Sequence, residues 1–184
     1  GAADVTIGSR APSDDPALAG AAVKQAVAGY NRSGIVSTTK HFPGHGGATA
    51  DSHTTLPVLT ETLAELEARD LAPFATAVEA GAPSVMIGHL DVEAIAPGVP
   101  SSLAPETYAY LREELGFEGV AITDSLGMGA VAGTPALAVK ALQAGADLLL
   151  MPADTRRAHQ TITRALEDGT LGRARVEEAA ARVV

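Results

Sequence analysis

The chain has no cysteine among its 184 residues. Disulfide bonds and thiolate metal ligands are therefore excluded, although the redox compartment is left open. Basic residues are also few, since 13 Lys and Arg stand against 22 Asp and Glu, for a formal net charge of −9. Because these 13 are scattered rather than gathered into a stripe, the sequence argues against nucleic-acid binding through phosphate neutralisation. No apolar run approaches the roughly 20 residues that a membrane-spanning helix needs.

The remaining composition is that of an ordinary globular protein. Hydrophobic residues make up 46% of the chain and charged residues 19%, which is not a disordered composition. A chain of this length can bury one sizeable core, and nothing in the sequence requires a division. We therefore expect a single domain over residues 1–184.

Apolar segments alternate with helical patterns along the chain. The predicted strands are Ile35–Thr39, Ser84–Gly88, Val120–Thr123 and Asp147–Met151. Apolar strands separated by helices are typical of an α/β fold with a parallel sheet covered by helices. From periodicity alone, four such units are compatible with a small open sheet or with half of an eight-stranded barrel.

Ionisable residues follow the first three predicted strands. Lys40 and His41 follow the first, His89 the second and Asp124 the third. Since ligands of α/β folds bind at the carboxyl ends of the strands, these ends are the first candidates for a functional site. The richest of them is the stretch Lys40–His53, which contains three of the five histidines.

Two carboxylates have both a structural and a catalytic interpretation. Asp124 either caps the helix that follows or acts as a nucleophile or general base. Asp51 either lies by chance beside His53 on a solvated loop, or it accepts a hydrogen bond from that imidazole and orients it for proton transfer.

The other candidates have plainer alternatives. A metal site built from His41, His45, His53 and Asp51 is disfavoured, because the intervening Pro-Gly pair opposes a helix that would place the first two rings on one face, and we expect no metal. Arg10 and Lys40 can be surface cations, and His89, Met128 and Met151 can be core or lining residues.

Several motifs occur in an order that resembles the family 3 glycoside hydrolases, in the branch of β-N-acetylglucosaminidases that act on muropeptides. The first motif is Lys40–Gly46, followed by Asp51–His53. The others are Leu71–Phe74, Val85–His89, Leu115–Val120, Ile122–Met128, Ala144–Asp147 and Leu149–Pro152. The resemblance runs from about Ile7 to Val184.

The resemblance implies a (β/α)8 barrel and hydrolysis of terminal β-linked N-acetylglucosamine with retention of configuration. Asp124 would be the nucleophile, and His53, held by Asp51, would be the general acid/base in place of the usual second carboxylate. Arg10, together with Lys40 and His41, would bind the sugar. No cofactor is implied, and the partner is the glycan substrate.

The chain also departs from the family pattern. The resemblance covers the C-terminal half of the barrel, so we expect this chain to need an N-terminal half-barrel that carries further strands and sugar contacts. Arg10 is followed by Ala11-Pro12, where the family usually has a serine and an aromatic residue. Two other functions stay open, namely a phosphorylase that passes the sugar to phosphate and a non-catalytic carbohydrate-binding remnant. The sequence leaves localisation and activity of the isolated chain open.

Overall fold

The computed structural model describes residues 7–48 and 50–184. The helices are α1 (Pro16–Arg32), α2 (Leu63–Arg69), α3 (Ala72–Glu79), α4 (Pro105–Ala109), α5 (Leu137–Ala144), α6 (Thr155–Glu167) and α7 (Arg173–Val183). The strands are β1 (Thr38–Phe42), β2 (Val58–Leu59), β3 (Ser84–Ile87), β4 (Asp91–Val92) and β5 (Val120–Thr123).

The main sheet is parallel, with strand order β1-β3-β5. Thr39 pairs with Val85 in the first ladder, and Val85 pairs with Ala121 in the second. Helices separate these strands in the chain, as parallel pairing requires. The predicted α/β class with a parallel sheet is confirmed. A second parallel pair, β2 with β4, was not predicted, and it joins the long loop after β1 to the loop after β3.

The first strand lies three residues later than predicted. Ile35 and Val36 precede it and are 54% and 74% exposed, whereas the strand ends at the fully buried Phe42. β-branched residues favour strands only where neighbouring chains pack on them. The register with β3 shifts between Thr39 and Phe42, so Lys40 and His41 lie in an irregular part of the strand rather than after it. The Lys40–His41 and Phe42–Pro43 peptide bonds are cis.

The predicted strand at residues 147–151 is reduced to a single bridge between Leu148 and Ile122. The segment still runs beside β5, because Thr123 N–H donates to Leu148 O. However, Leu150 N–H donates to the Thr123 hydroxyl instead of a backbone carbonyl. Met151 then turns the chain with a φ of 43°, and these two features end the ladder.

The main core cluster joins the sheet to several of the helices. Phe42, Val85 and Ile87 from the sheet pack in one cluster with residues of α2, α3 and α4, and the rings of Phe42 and Phe74 meet edge to face at 5.3 Å. Pro73 stands in the first turn of α3, where its missing backbone N–H leaves no helical hydrogen bond unmade. None of the helices described in residues 7–48 and 50–184 is long and apolar enough to cross a membrane.

Candidate active site

Asp124 lies directly after β5, at the carboxyl end of the main sheet. Its backbone N–H donates to Ile87 O at 2.8 Å, and its Oδ1 accepts from Ser125 N–H at 2.7 Å. The next helical turn begins at Gly129 without a side-chain cap, so the helix-capping interpretation of Asp124 is wrong. Its side chain is 15% exposed, which leaves the carboxylate accessible from the sheet end.

His41 faces Asp124 from the neighbouring part of the sheet. The His41 Nε2 and Asp124 Oδ2 atoms are 3.8 Å apart. Burial lowers the pKa of His41 to about 4, although the charge of Asp124 opposes that change, and the charges of Lys40 and Arg10 add to it. His41 is therefore neutral near pH 7. The 3.8 Å contact is then neither an ion pair nor a hydrogen bond, since the separation is too long for one.

His89 is completely buried and connects the sheet to the residue after Asp124. Its Nε2 lies 2.9 Å from Ser125 O, and its Nδ1 lies 2.7 Å from Ser102 Oγ. Burial lowers the pKa of His89, so the ring is neutral. A carbonyl only accepts, so Nε2 carries the proton and the Ser102 hydroxyl donates to Nδ1. These bonds fix Ser125, whose N–H is bound to Asp124.

His89 is thus more than the core or lining residue that the sequence indicated. A signal for it was present, because it follows a buried strand in the same way that Asp124 follows the next one. The hydroxyl of Ser102, which lies thirteen residues away in sequence, could not be matched to it from spacing. We call His41, His89 and Asp124 the strand-end group.

Asp51 and His53 form a second unit, the loop pair, on the long loop between β1 and β2. Asp51 Oδ1 lies 2.7 Å from His53 Nδ1 and accepts from His53 N–H at 2.9 Å. These two hydrogen bonds lower the pKa of Asp51, and the bond from the backbone N–H of His53 has the larger effect. The ionised carboxylate accepts the Nδ1 proton, which leaves Nε2 as the atom that can exchange a proton. The two side chains are therefore hydrogen-bonded, and the use of His53 for proton transfer stays a prediction.

The loop pair is considerably more exposed than the strand-end group. The side chains of Asp51 and His53 are 44% and 63% exposed. Between them in the chain, the buried Ser52 has its Oγ 3.1 Å from Nε2 of the buried His45. His45 therefore helps to hold the loop in place.

The three candidate sugar-binding residues share one cavity. It has a volume of about 380 Å³, and its lining includes Arg10, Lys40 and His41. Asp124 and His53 are not part of that lining, so the cavity lies beside the candidate catalytic groups rather than around them. His41 connects the two regions, since it lines the cavity and faces Asp124.

The described residues of the histidine-rich stretch were also a candidate for metal binding. Among the residues that the structure describes, no group of three or more His, Asp or Glu side chains is arranged to hold a metal ion. The rings of His41 and His45 meet edge to face with centroids 5.7 Å apart. His41 also faces Asp124, whereas His45 contacts Ser52.

Comparison with known proteins places the chain in a family. Residues 2–184 match the N-terminal domain of glycosyl hydrolase family 3. A beta-hexosaminidase of Xylella fastidiosa is 41% identical over 148 residues, which cover 79% of this chain and 44% of that protein. The chain thus spans about half the length of the curated relatives it matches.

Solved structures give the same result. A glycoside hydrolase family 3 beta-N-acetylglucosaminidase from Paenibacillus sp. superposes with a TM-score of 0.94 at 33% identity, covering 97% of this chain and 36% of that one. The beta-glucoside phosphorylase BglX superposes with a TM-score of 0.86 at 26% identity, covering 92% of this chain and 33% of that one.

Proposed function

Because the chain belongs to glycosyl hydrolase family 3, matched over the family's N-terminal domain, we propose that it forms part of a retaining exo-β-N-acetylglucosaminidase. The proposed substrates are terminal β-linked N-acetylglucosamine residues of cell-wall muropeptides or of chitin-type glycans. The observation that carries the proposal is the presence of two separate units, a carboxylate at a strand end and an oriented His–Asp pair on a loop.

In the first step, an oxygen of Asp124 attacks the anomeric carbon of the terminal sugar. The bond from that carbon to the glycosidic oxygen breaks, and protonated His53 donates a proton from Nε2 to the departing oxygen. The products are a glycosyl-enzyme ester and a free alcohol. Since His41 is neutral, it does not neutralise the attacking carboxylate.

In the second step, neutral His53 removes a proton from water as the water oxygen attacks the anomeric carbon. The ester bond to Asp124 breaks, and both catalytic groups return to their starting charge. Asp51 keeps the imidazole in the tautomer that both steps need. Arg10, Lys40 and His41 are proposed to hold the sugar hydroxyls from the neighbouring cavity.

A complementary half-barrel is part of the proposal. Within residues 7–48 and 50–184, β1 pairs on one side, with β3, and its other edge is open. Beyond the other end of the sheet, Leu148 and Met151 are 42% and 68% exposed. Open parallel edges with apolar residues are normally covered. We therefore propose that the remaining strands of the barrel pair there and complete the sugar site.

The nucleophile assignment is tested in the enzyme that carries the complete barrel. We expect Asp124→Ala to lower kcat/KM for a nitrophenyl N-acetyl-β-glucosaminide by about 10⁴- to 10⁶-fold, because no group remains to form the ester. Asp168→Ala, an exposed carboxylate after α6, is the matched control and should keep wild-type turnover. Unchanged turnover in Asp124→Ala would overturn the assignment.

Transfer of the sugar to phosphate is the second candidate, favoured by the structural similarity to a beta-glucoside phosphorylase. A histidine acid/base avoids the repulsion that a second carboxylate would impose on an anionic acceptor. Product analysis with and without phosphate separates the two reactions. Hydrolysis predicts free N-acetylglucosamine under both conditions, whereas phosphorolysis predicts the sugar 1-phosphate when phosphate is present.

A further inference from the structure

The loop after β5 contacts the backbone of the loop pair. Gly129 N–H donates to His53 O at 3.0 Å, and Ala130 N–H is 3.4 Å from Ser52 O. The turn that these bonds hold is closed on itself, because Thr54 N–H donates to Asp51 O. The polypeptide segment that begins with the candidate nucleophile therefore also binds the candidate acid/base residue.

The contact at Gly129 requires a residue without a side chain. A Cβ atom there would lie 2.8 Å from His53 O and 2.8 Å from Thr54 O. Both neighbours are backbone atoms, so no flexible side chain could move aside. Gly129 is not among the glycines with positive φ, so the reason for glycine at this position is space rather than backbone conformation.

The rest of the same loop is fixed to the sheet. Leu126 N–H donates to Leu150 O, and Met128 N–H donates to Ser125 O. Ser125 is bound by His89 as described above. One short segment therefore has a fixed start at Asp124 and presents Gly129 at a defined place five residues later.

From this arrangement we propose that Gly129 is a positioning residue for His53. By admitting the backbone of the Asp51–Thr54 turn, it sets where the imidazole lies relative to the Asp124 carboxylate. The inference rests on the proposed glycosidase function and adds to it a residue that touches neither substrate nor reacting atoms. Gly129, rather than the length of the loop, therefore fixes the position of the loop pair relative to Asp124.

A positioning role has a distinct kinetic signature. Displacing His53 impairs proton transfer to the leaving oxygen, which is needed for a sugar alcohol but hardly for dinitrophenolate, because that leaving group departs without protonation. Misplacement of a reacting group by about 1 Å costs about 100-fold. General loss of structure would instead lower both rates together.

The test compares Gly129→Ala with Gly127→Ala in the complete-barrel enzyme. At Gly127 an added Cβ meets Met151 O at 3.5 Å and Ser125 Oγ at 3.6 Å, which are ordinary contacts in the same loop. For Gly129→Ala we expect kcat/KM to fall about 10- to 100-fold on chitobiose but less than about 3-fold on the dinitrophenyl N-acetylglucosaminide. Gly127→Ala should stay near wild type on both substrates.

A second readout does not depend on turnover. Amide hydrogen exchange at Thr54 and Thr55, which both donate to Asp51 O, should be faster in Gly129→Ala than in Gly127→Ala. If Gly129→Ala does not fold, Ala130→Pro removes the neighbouring donor without adding an atom to Gly129, and the same leaving-group contrast is expected.

Equal losses on both substrates, or unchanged exchange at Thr54 and Thr55, would overturn the role of Gly129. A wild-type enzyme without activity on either substrate would instead overturn the proposed function, and the inference with it. The two failures are therefore distinguishable.

Discussion

The strand-end group and the loop pair are built in opposite ways. His41 and Asp124 have side chains that are 10% and 15% exposed, and His89 is fully buried. Their positions follow from parallel strands and from backbone hydrogen bonds. Asp51 and His53 are about half-exposed, and they are held by the hydrogen bond between them and by backbone contacts of their loop with Gly129 and Ala130. The proposed site thus combines one unit fixed by the sheet and one held on a loop.

The difference corresponds to the two tasks that the proposed mechanism sets. A nucleophile forms and breaks one bond at one place, so a rigid position keeps its carboxylate in the reactive geometry. An acid/base residue must reach a leaving group first and a water molecule afterwards, which requires access to solvent. Disruption of the strand-end group should therefore affect both stability and activity, whereas disruption of the loop pair should affect activity alone.

The largest effect on activity in this comparison is expected for a substitution of His53. His53→Ala should lower kcat/KM on chitobiose by about 10²- to 10⁴-fold, the usual contribution of a general acid/base. Its melting temperature should remain at the wild-type value, because the side chain is 63% exposed. His159→Ala, an exposed histidine on α6, is the control for both measurements. A clear drop in melting temperature would show that His53 stabilises the fold. The loop pair would then not differ from the strand-end group in its effect on stability.

An intermediate effect is expected at His89. His89→Phe keeps a ring of similar size but leaves the Ser102 hydroxyl and the Ser125 carbonyl without their partner. Unsatisfied buried polar groups cost about 1–3 kcal/mol each, so the free energy of unfolding should fall by this order and turnover should fall with it. His89→Gln, whose amide can donate to Ser125 O, should recover part of both losses. Chemical denaturation and kinetics on the two variants check this. Equal free energies of unfolding and equal turnover in His89→Phe and His89→Gln would contradict a role for the hydrogen bonds of His89.

The smallest effect is a pH dependence of stability that arises from the strand-end group. The pKa of His41 falls from 6.5 to about 4 on folding. Between these values the unfolded chain binds a proton that the folded chain does not, so the free energy of unfolding decreases as the pH falls from 6.5 towards 4. The slope from one group is at most about 1.4 kcal/mol per pH unit.

His41→Asn should flatten that slope. The lowered pKa of His89 acts in the same direction, so a smaller slope should persist in His41→Asn. The Asp51 carboxylate contributes with its own lowered pKa only as the pH falls below its ordinary value of 3.8. Denaturant midpoints measured from pH 7 to pH 4 check the prediction, and a slope unaffected by His41→Asn would show that another group causes it.

The sequence was most informative where residues act on near neighbours. The Asp51–His53 pair was predicted from a spacing of two, and the structure contains that hydrogen bond. The first strand was placed wrongly, because β-branched Ile35 and Val36 indicate strand propensity, while the strand itself is defined by pairing with β3.

By itself, the sequence determined the α/β class and the chemical types gathered near the strand ends, since these depend on periodicity and on local contacts. The tertiary structure decided which groups meet. The approach of His41 to Asp124, the bonds from Ser102 through His89 to Ser125, and the contact of Gly129 with His53 join residues that are distant in the chain. Such contacts depend on register and on close approach of backbones, which a pattern of residue types does not specify.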